Sequence, residues 1–241
     1  MDGKLDRVRV YIADTGVLES DTLFQELYQT IPKYRKTKID RLKVWKERKL
    51  SLGAWLLLRK GLDELGLNDR KMKLCYGENG KPFFQEYPEL CFSLSHSGEV
   101  VMCAISVQSV GCDVEKVRQQ KTEVAKRFFH QQEYHYLLSQ KTAEDRQETF
   151  YRLWTLKESF MKATGLGMKL PLSDFCIKLE GKQIQVEQRV DRGQNYYFKE
   201  FFWQEGYRYA CCSVIPDWEE NLRVVDFSRI REVLHFKHTK Y

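Results

Sequence analysis

Two carboxylates separated by one residue, Asp113 and Glu115, close the run SVGCDVEKVR at 109–118. If 110–115 is a strand, alternate side chains share a face. Asp113 and Glu115 then point one way, while Cys112 and Val114 point into a core. Two hard oxygen donors on one rigid face make a platform for Mg²⁺, which takes one or two carboxylates and completes its shell with water and phosphate oxygens. A solvated strand end carries the same D-x-E pattern, so its chemistry depends on what faces it.

Several elements can supply that facing surface. The segment 144–164 (EDRQETFYRLWTLKESFMKAT) has helical periodicity and stops at Gly165. Along it Trp154, Glu158 and Lys162 recur at i, i+4, i+8 and share a face, with Leu153, Leu156 and Phe160 on the core side. In GENGKPFF (77–84) a turn leads into a short strand, and Lys81 is stiffened by Pro82. Two strands, CFSLS and VVMCAISV, are expected to meet at a tight turn over His96-Ser97-Gly98, which puts Ser95 and His96 at a loop tip. No G-x-S-x-G elbow surrounds them, so a serine nucleophile with a histidine base is rejected in favour of hydrogen bonding to phosphate. Upstream, the basic run 34–49 (YRKTKIDRLKVWKERK) places Ile39, Leu42 and Trp45 at three-residue spacing. It predicts one amphipathic helix with a basic face, flowing into an apolar helix over 50–65. Such a face is either solvated or a polyanion cradle, and Ser51 adds a hydroxyl where the charges stop.

Composition bounds the rest. The 241 residues are 42% hydrophobic and 31% charged with a formal net charge of +6, as in a globular protein with an anionic partner. The charge is too mild to indicate nucleic acid. Seven cysteines, with no C-x-x-C pair, suggest reduced thiols in a cytoplasmic protein. No signal-like N-terminus or membrane-length apolar run is evident. Strand, helices and strands occur in that order twice, the tail after Pro216 carrying no motif. This predicts an α+β, pseudo-duplicated fold of two halves, 1–107 and 108–241, with a ligand cleft between them.

Taken together, the basic helix, K-P with S-L-S-H-S-G, G-C-D-V-E-K and W-T-L-K-E-S-F-M-K resemble the 4'-phosphopantetheinyl transferase superfamily, in its surfactin-synthetase-activating form, over about 34–172. The signatures (I/V)G-x-D-(I/V)-E and (F/W)-x-x-K-E-(A/S)-x-x-K are matched at every defining position, with Val110 and Val114 where the family often has Ile. The resemblance implies a Mg²⁺-dependent (or Mn²⁺-dependent) transfer from coenzyme A to a serine of an apo carrier protein, releasing adenosine 3',5'-bisphosphate. It implies that Asp113, Glu115 and Glu158 hold the metal, that Glu158 acts as base, ligand or both, and that Lys162 neutralises leaving-group charge. Lys157 is in the motif but lies 100° round the helix from Glu158. Coenzyme A contacts are implied for Lys81, Ser95 and His96, and 3'-phosphate contacts for Arg35, Lys38 and Ser51, with Arg48 or Lys49 as alternatives in register. The implied partner is a small acidic helical carrier domain, docked near Lys116, Phe128 and 121–129, on a monomeric transferase. Competing readings are another Mg²⁺-dependent phosphoryl transferase and a non-catalytic docking module.

Overall fold

The computed structural model describes residues 5–119, 122–181, 183–188 and 193–230. In the N-terminal half, strand β1 (Arg9–Asp14) leads to helices α1 (Asp21–Thr30), α2 (Lys33–Asp40) and α3 (Trp45–Glu64). A short hairpin, β2 (Leu74–Tyr76) and β3 (Pro82–Phe84), precedes the longer strands β4 (Cys91–Ser97) and β5 (Val100–Ser106). The second half repeats the plan. Strand β6 (Val110–Lys116) is followed by α4 (Thr122–Phe128), α5 (Gln131–Leu138) and α6 (Ala143–Thr164), then by β7 (Cys176–Glu180), β8 (Gln183–Glu187), β9 (Tyr197–Phe201) and β10 (Tyr207–Ser213). A last strand, β11, is Arg223–Val224.

Two sheets result, ordered β11-β1-β5-β4 and β6-β10-β9, with β2-β3 and β7-β8 as separate hairpins. Side-chain alternation explains how they stack. Val10, Ile12, Val100, Met102 and Ala104 on one sheet bury against Val110, Cys112, Val114, Tyr209 and Cys211 on the other. The opposite faces carry the helices: Tyr11, Val101, Cys103 and Ile105 share a core with Trp55, Leu58 and Leu62 of α3, and Ala210 and Cys212 share one with Leu156 and Phe160 of α6. The order of layers is therefore helix, sheet, sheet, helix.

Three local expectations are corrected. The basic run is two helices, because residues 41–44 break it. Ile39 and Trp45 both turn inward, Trp45 meeting Phe24 at 4.6 Å. The β4–β5 turn falls at Gly98–Glu99, with Gly98 at φ +63, so Ser95 and His96 lie within the strand and not at a loop tip. The tail also has a structural role. β11 pairs in parallel with β1 and Phe227 and Ile230 enter the N-terminal core, so the layers do not divide cleanly at residue 108.

All seven cysteines are unpaired. Among the described residues no helix is long and apolar enough to cross a membrane.

Candidate active site

The site forms where α6 lies on the face of β6 that bears Gly111, Asp113 and Glu115. Gly111 makes this approach possible: a Cβ there would fall inside contact distance of the Ser159 carbonyl oxygen, 2.5 Å from the Ala163 nitrogen and 2.9 Å from Lys162 Cβ. Helix α6 begins in a capping box of Thr142 and Asp145 and ends at Gly165, φ +72. Leu153, Leu156 and Phe160 are fully buried, which turns Glu158 and Lys162 toward the strand.

Lys162 Nζ donates to Asp113 Oδ1 at 2.7 Å, to the Cys112 carbonyl at 3.0 Å and to Ser95 Oγ at 3.1 Å. Burial acts to lower the Lys162 pKa, but Asp113, Cys112 and Glu158 together outweigh it and the pKa is raised. Glu115 is raised by burial, opposed by the hydroxyl of Ser97 and reinforced by the charge of Asp113. Glu158 is likewise raised, by burial first and Asp113 second, with Lys162 opposing. Three carboxylates thus feel one another around a single ammonium group.

Asp113 Oδ2 is buried and has no hydrogen-bond partner among the described residues. A buried carboxylate oxygen with no donor is costly unless a cation meets it. Among the described residues, no three His, Cys, Asp or Glu side chains are already gathered tightly enough to enclose a metal ion. With Asp113 Oδ2 free, the donor set fits Mg²⁺ as an open site of one or two carboxylates completed by water or phosphate.

From Lys162 a cleft of about 320 Å³ runs between the halves, lined by Arg35, Lys38, Trp55, Tyr76, Lys81, Phe92 and Gly165 among others. Arg35 stacks over the Trp55 ring at 4.7 Å and its Nη2 donates to Ser51 Oγ (2.9 Å) and the Ser51 carbonyl (3.0 Å). Lys81 Nζ donates to the Ala163 carbonyl at 2.9 Å and to that of Val110 at 3.3 Å. Burial lowers the pKa of Arg35, Lys38 and Lys81, and among the described residues none has a carboxylate partner within 4 Å. The cleft is a basic pocket with aromatic walls, in which Lys162 is paired with Asp113 while, among the described residues, Arg35, Lys38 and Lys81 have no carboxylate partner.

Other candidate residues have different surroundings. Ser95 Oγ donates to Asp113 Oδ1 at 2.7 Å and accepts from Val114 N at 3.3 Å. His96 is exposed, and its pKa is lowered by nearby protein that displaces water and then by Lys162. Arg48 and Lys49 turn away from the cleft: Arg48 stacks over Phe24 near Asp40, and Lys49 is buried between Glu19 and Glu99. Lys157 is fully buried, donating to both Glu133 carboxylate oxygens at 2.7 Å and to the Phe175 carbonyl at 2.8 Å. The motif lysine beside Glu158 thus ties α6 to α5 and β7. Sequence reasoning missed Ser93 and Ser97, although the alternation S-L-S-H-S on β4 already put three hydroxyls on one face.

Comparison with known proteins agrees with this arrangement. The family model described as 4'-phosphopantetheinyl transferase superfamily matches residues 109–212, and that described as 4'-phosphopantetheinyl transferase, N-terminal, matches 19–109. The chain is 38% identical over 154 residues to 4'-phosphopantetheinyl transferase Sfp of Bacillus subtilis (strain 168), covering 64% of this chain and 68% of that one. It is 37% identical over 166 residues to 4'-phosphopantetheinyl transferase gsp of Aneurinibacillus migulanus, covering 68% of each, and 32% identical over 169 residues to 4'-phosphopantetheinyl transferase ffp of Bacillus subtilis, covering 70% and 75%. A two-half α+β chain with both signatures facing one cleft, matched over most of its length, belongs to the 4'-phosphopantetheinyl transferase superfamily.

Proposed function

We propose that the chain moves the 4'-phosphopantetheine group of coenzyme A onto a serine hydroxyl of an apo acyl or peptidyl carrier protein, with Mg²⁺ (or Mn²⁺), releasing adenosine 3',5'-bisphosphate. The observation that carries this reading is the cleft itself: Arg35, Lys38 and Lys81 without carboxylate partners among the described residues, leading to Lys162 and the carboxylates. Cations left unpaired in a cleft favour a polyanion, and the aromatic walls offer surface for a base. In this reading Arg35, Lys38 and Ser51 lie toward the 3'-phosphate and Lys81, Ser95 and His96 toward the rest of the nucleotide.

The serine oxygen bonds to the β-phosphorus while the bond to the adenosine-bearing phosphate breaks. Such transfers need alignment and charge neutralisation more than covalent help. Asp113, Glu115 and Glu158 would hold the metal ion, whose chemistry is to neutralise pyrophosphate oxygens. Glu158, its pKa raised by burial and then by Asp113, is a base that takes up the serine proton more readily than an ordinary glutamate would. Lys162 stands beside Asp113 to balance charge on the leaving group.

The partner in this reading is a small acidic carrier domain, which the net charge of +6 favours. Lys116 and Phe128, both exposed, are candidate docking residues, while Lys121 lies outside the described residues. One chain supplies both walls of the cleft, which supports a monomer, and the unpaired thiols support a cytoplasmic location.

The test is intact-mass spectrometry of an apo carrier protein incubated with this protein, coenzyme A and Mg²⁺. Gain of one phosphopantetheine group, abolished by EDTA and by Glu158→Gln, supports the reading. Coenzyme A binding without transfer to any of several carrier classes favours a docking module.

A further inference from the structure

Strand β6 is an edge of its sheet, with β10 on one side only. Its outward amides still need acceptors, because an unpaired buried N–H is costly. Among the described residues no backbone strand supplies them; β4 does so with side chains. Cys112 N donates to Ser93 Oγ at 3.0 Å, Val114 N to Ser95 Oγ at 3.3 Å, and Lys116 N to Ser97 Oγ at 3.1 Å. The period of two on both strands makes this a row of three equivalent bonds.

A serine hydroxyl has one proton to give. With an amide fixed on its lone pair, the direction of that proton is constrained. Ser95 gives its proton to Asp113 Oδ1 at 2.7 Å, and Ser97 gives its proton to Glu115 Oε2 at 2.6 Å. Each hydroxyl thus joins the amide of residue n+1 to the carboxylate of residue n. At Ser93 the corresponding residue is Gly111, so the same seam bond exists there with no carboxylate to aim.

We propose that Ser97 is a positioning residue for Glu115: its hydroxyl, locked by Lys116 N, holds one carboxylate oxygen and so fixes the other for a divalent cation. The inference rests on the metal reading of Asp113, Glu115 and Glu158 given above. Ser97 touches no reacting atom in this scheme. It acts as groups behind metal ligands generally do, where loss of the supporting hydrogen bond costs about 10- to 100-fold in metal affinity. Ser95 belongs to the same row but also accepts from Lys162, so Ser97 is the cleaner place to test it.

The experiment is Mn²⁺ titration of the full chain, read by the loss of free-ion electron paramagnetic resonance signal, with and without coenzyme A. Melting temperature is measured alongside. Ser97→Ala is expected to weaken Mn²⁺ binding by about tenfold or more, and Ser97→Thr to restore it. Ser93→Ala loses an equivalent seam bond and is expected to lower the melting temperature while leaving Mn²⁺ affinity within about twofold of wild type. If Ser97→Ala does not fold, Ser97→Cys, a weak donor of similar size, carries the same expectation at smaller amplitude. Wild-type affinity in a folded Ser97→Ala, or an equal loss in Ser93→Ala, overturns the positioning role and leaves the metal reading standing. Absence of Mn²⁺ binding by the wild type overturns the metal reading itself, and the proposal with it.

Discussion

Gly111 of β6 and Ser159 of α6 approach so closely that a Cβ on the glycine would collide with the serine carbonyl oxygen. This contact sets the depth at which α6 lies on the strand, and therefore where Glu158 and Lys162 meet Asp113. Gly111→Ala should push the helix outward. Overpacking of this kind costs about 1–3 kcal/mol, readable by urea denaturation. A protein that still folds should lose carrier modification more than it loses stability, because Lys162 can no longer reach Asp113. Unchanged activity would contradict the account of the motif glycine.

Lys157 tests a second relationship. Replacing it with Met leaves Glu133 buried without its cation, which costs about 3–5 kcal/mol. The double variant Lys157→Met, Glu133→Leu should recover only part of that loss, because Glu133 also accepts from Ile177 N and His130 N. Chemical denaturation of the four proteins in a double-mutant cycle measures the coupling.

The raised pKa of Glu158 gives a pH prediction. A carboxyl whose folded pKa lies above its unfolded value binds its proton more readily in the folded state. It therefore lowers stability as pH rises from the unfolded value through the folded one, and the cost is fully present above both. Glu158→Gln should raise the melting temperature at neutral pH in metal-free buffer. That gain should shrink as the pH falls and vanish below the ordinary glutamate range. A gain independent of pH would remove the charge as its cause.

Arg35 and Lys38 separate two kinds of contribution. Lys38→Ala removes a partly buried cation from the cleft and should raise KM for coenzyme A by about tenfold, the size of one charge-assisted contact. The effect should be much smaller on coenzyme A lacking its 3'-phosphate. Arg35→Ala should do the same and also lower the melting temperature, since it loses Ser51 and the stack on Trp55. Steady-state kinetics with both substrates, beside thermal melts, distinguish them.

Much of this was legible in the sequence because it is periodic and local. Alternation over 110–115 put Asp113 and Glu115 on one face and Cys112 and Val114 in a core, and both core residues are fully buried. The i, i+4, i+8 spacing put Glu158 and Lys162 together, and Gly165 ended their helix. The two signatures, read with the basic run, sufficed to name the family. Other features depended on partners distant in the chain. The basic run is broken at residues 41–44, and Trp45 beyond the break packs on Phe24, a partner from another helix that spacing does not reveal. The burial of Lys157 depended on Glu133, and that of Lys49 on Glu19 and Glu99. The tail carried no motif because it contributes main-chain pairing with β1 and two isolated core side chains, Phe227 and Ile230, neither of which makes a recognisable pattern in the sequence. The serine row is the clearest case. Three alternate hydroxyls were visible in the sequence, but a hydroxyl accepts a bond only where a donor stands, and the donors lie on a different strand of a different sheet. Spacing determines which side chains share a face; packing alone decides what that face meets.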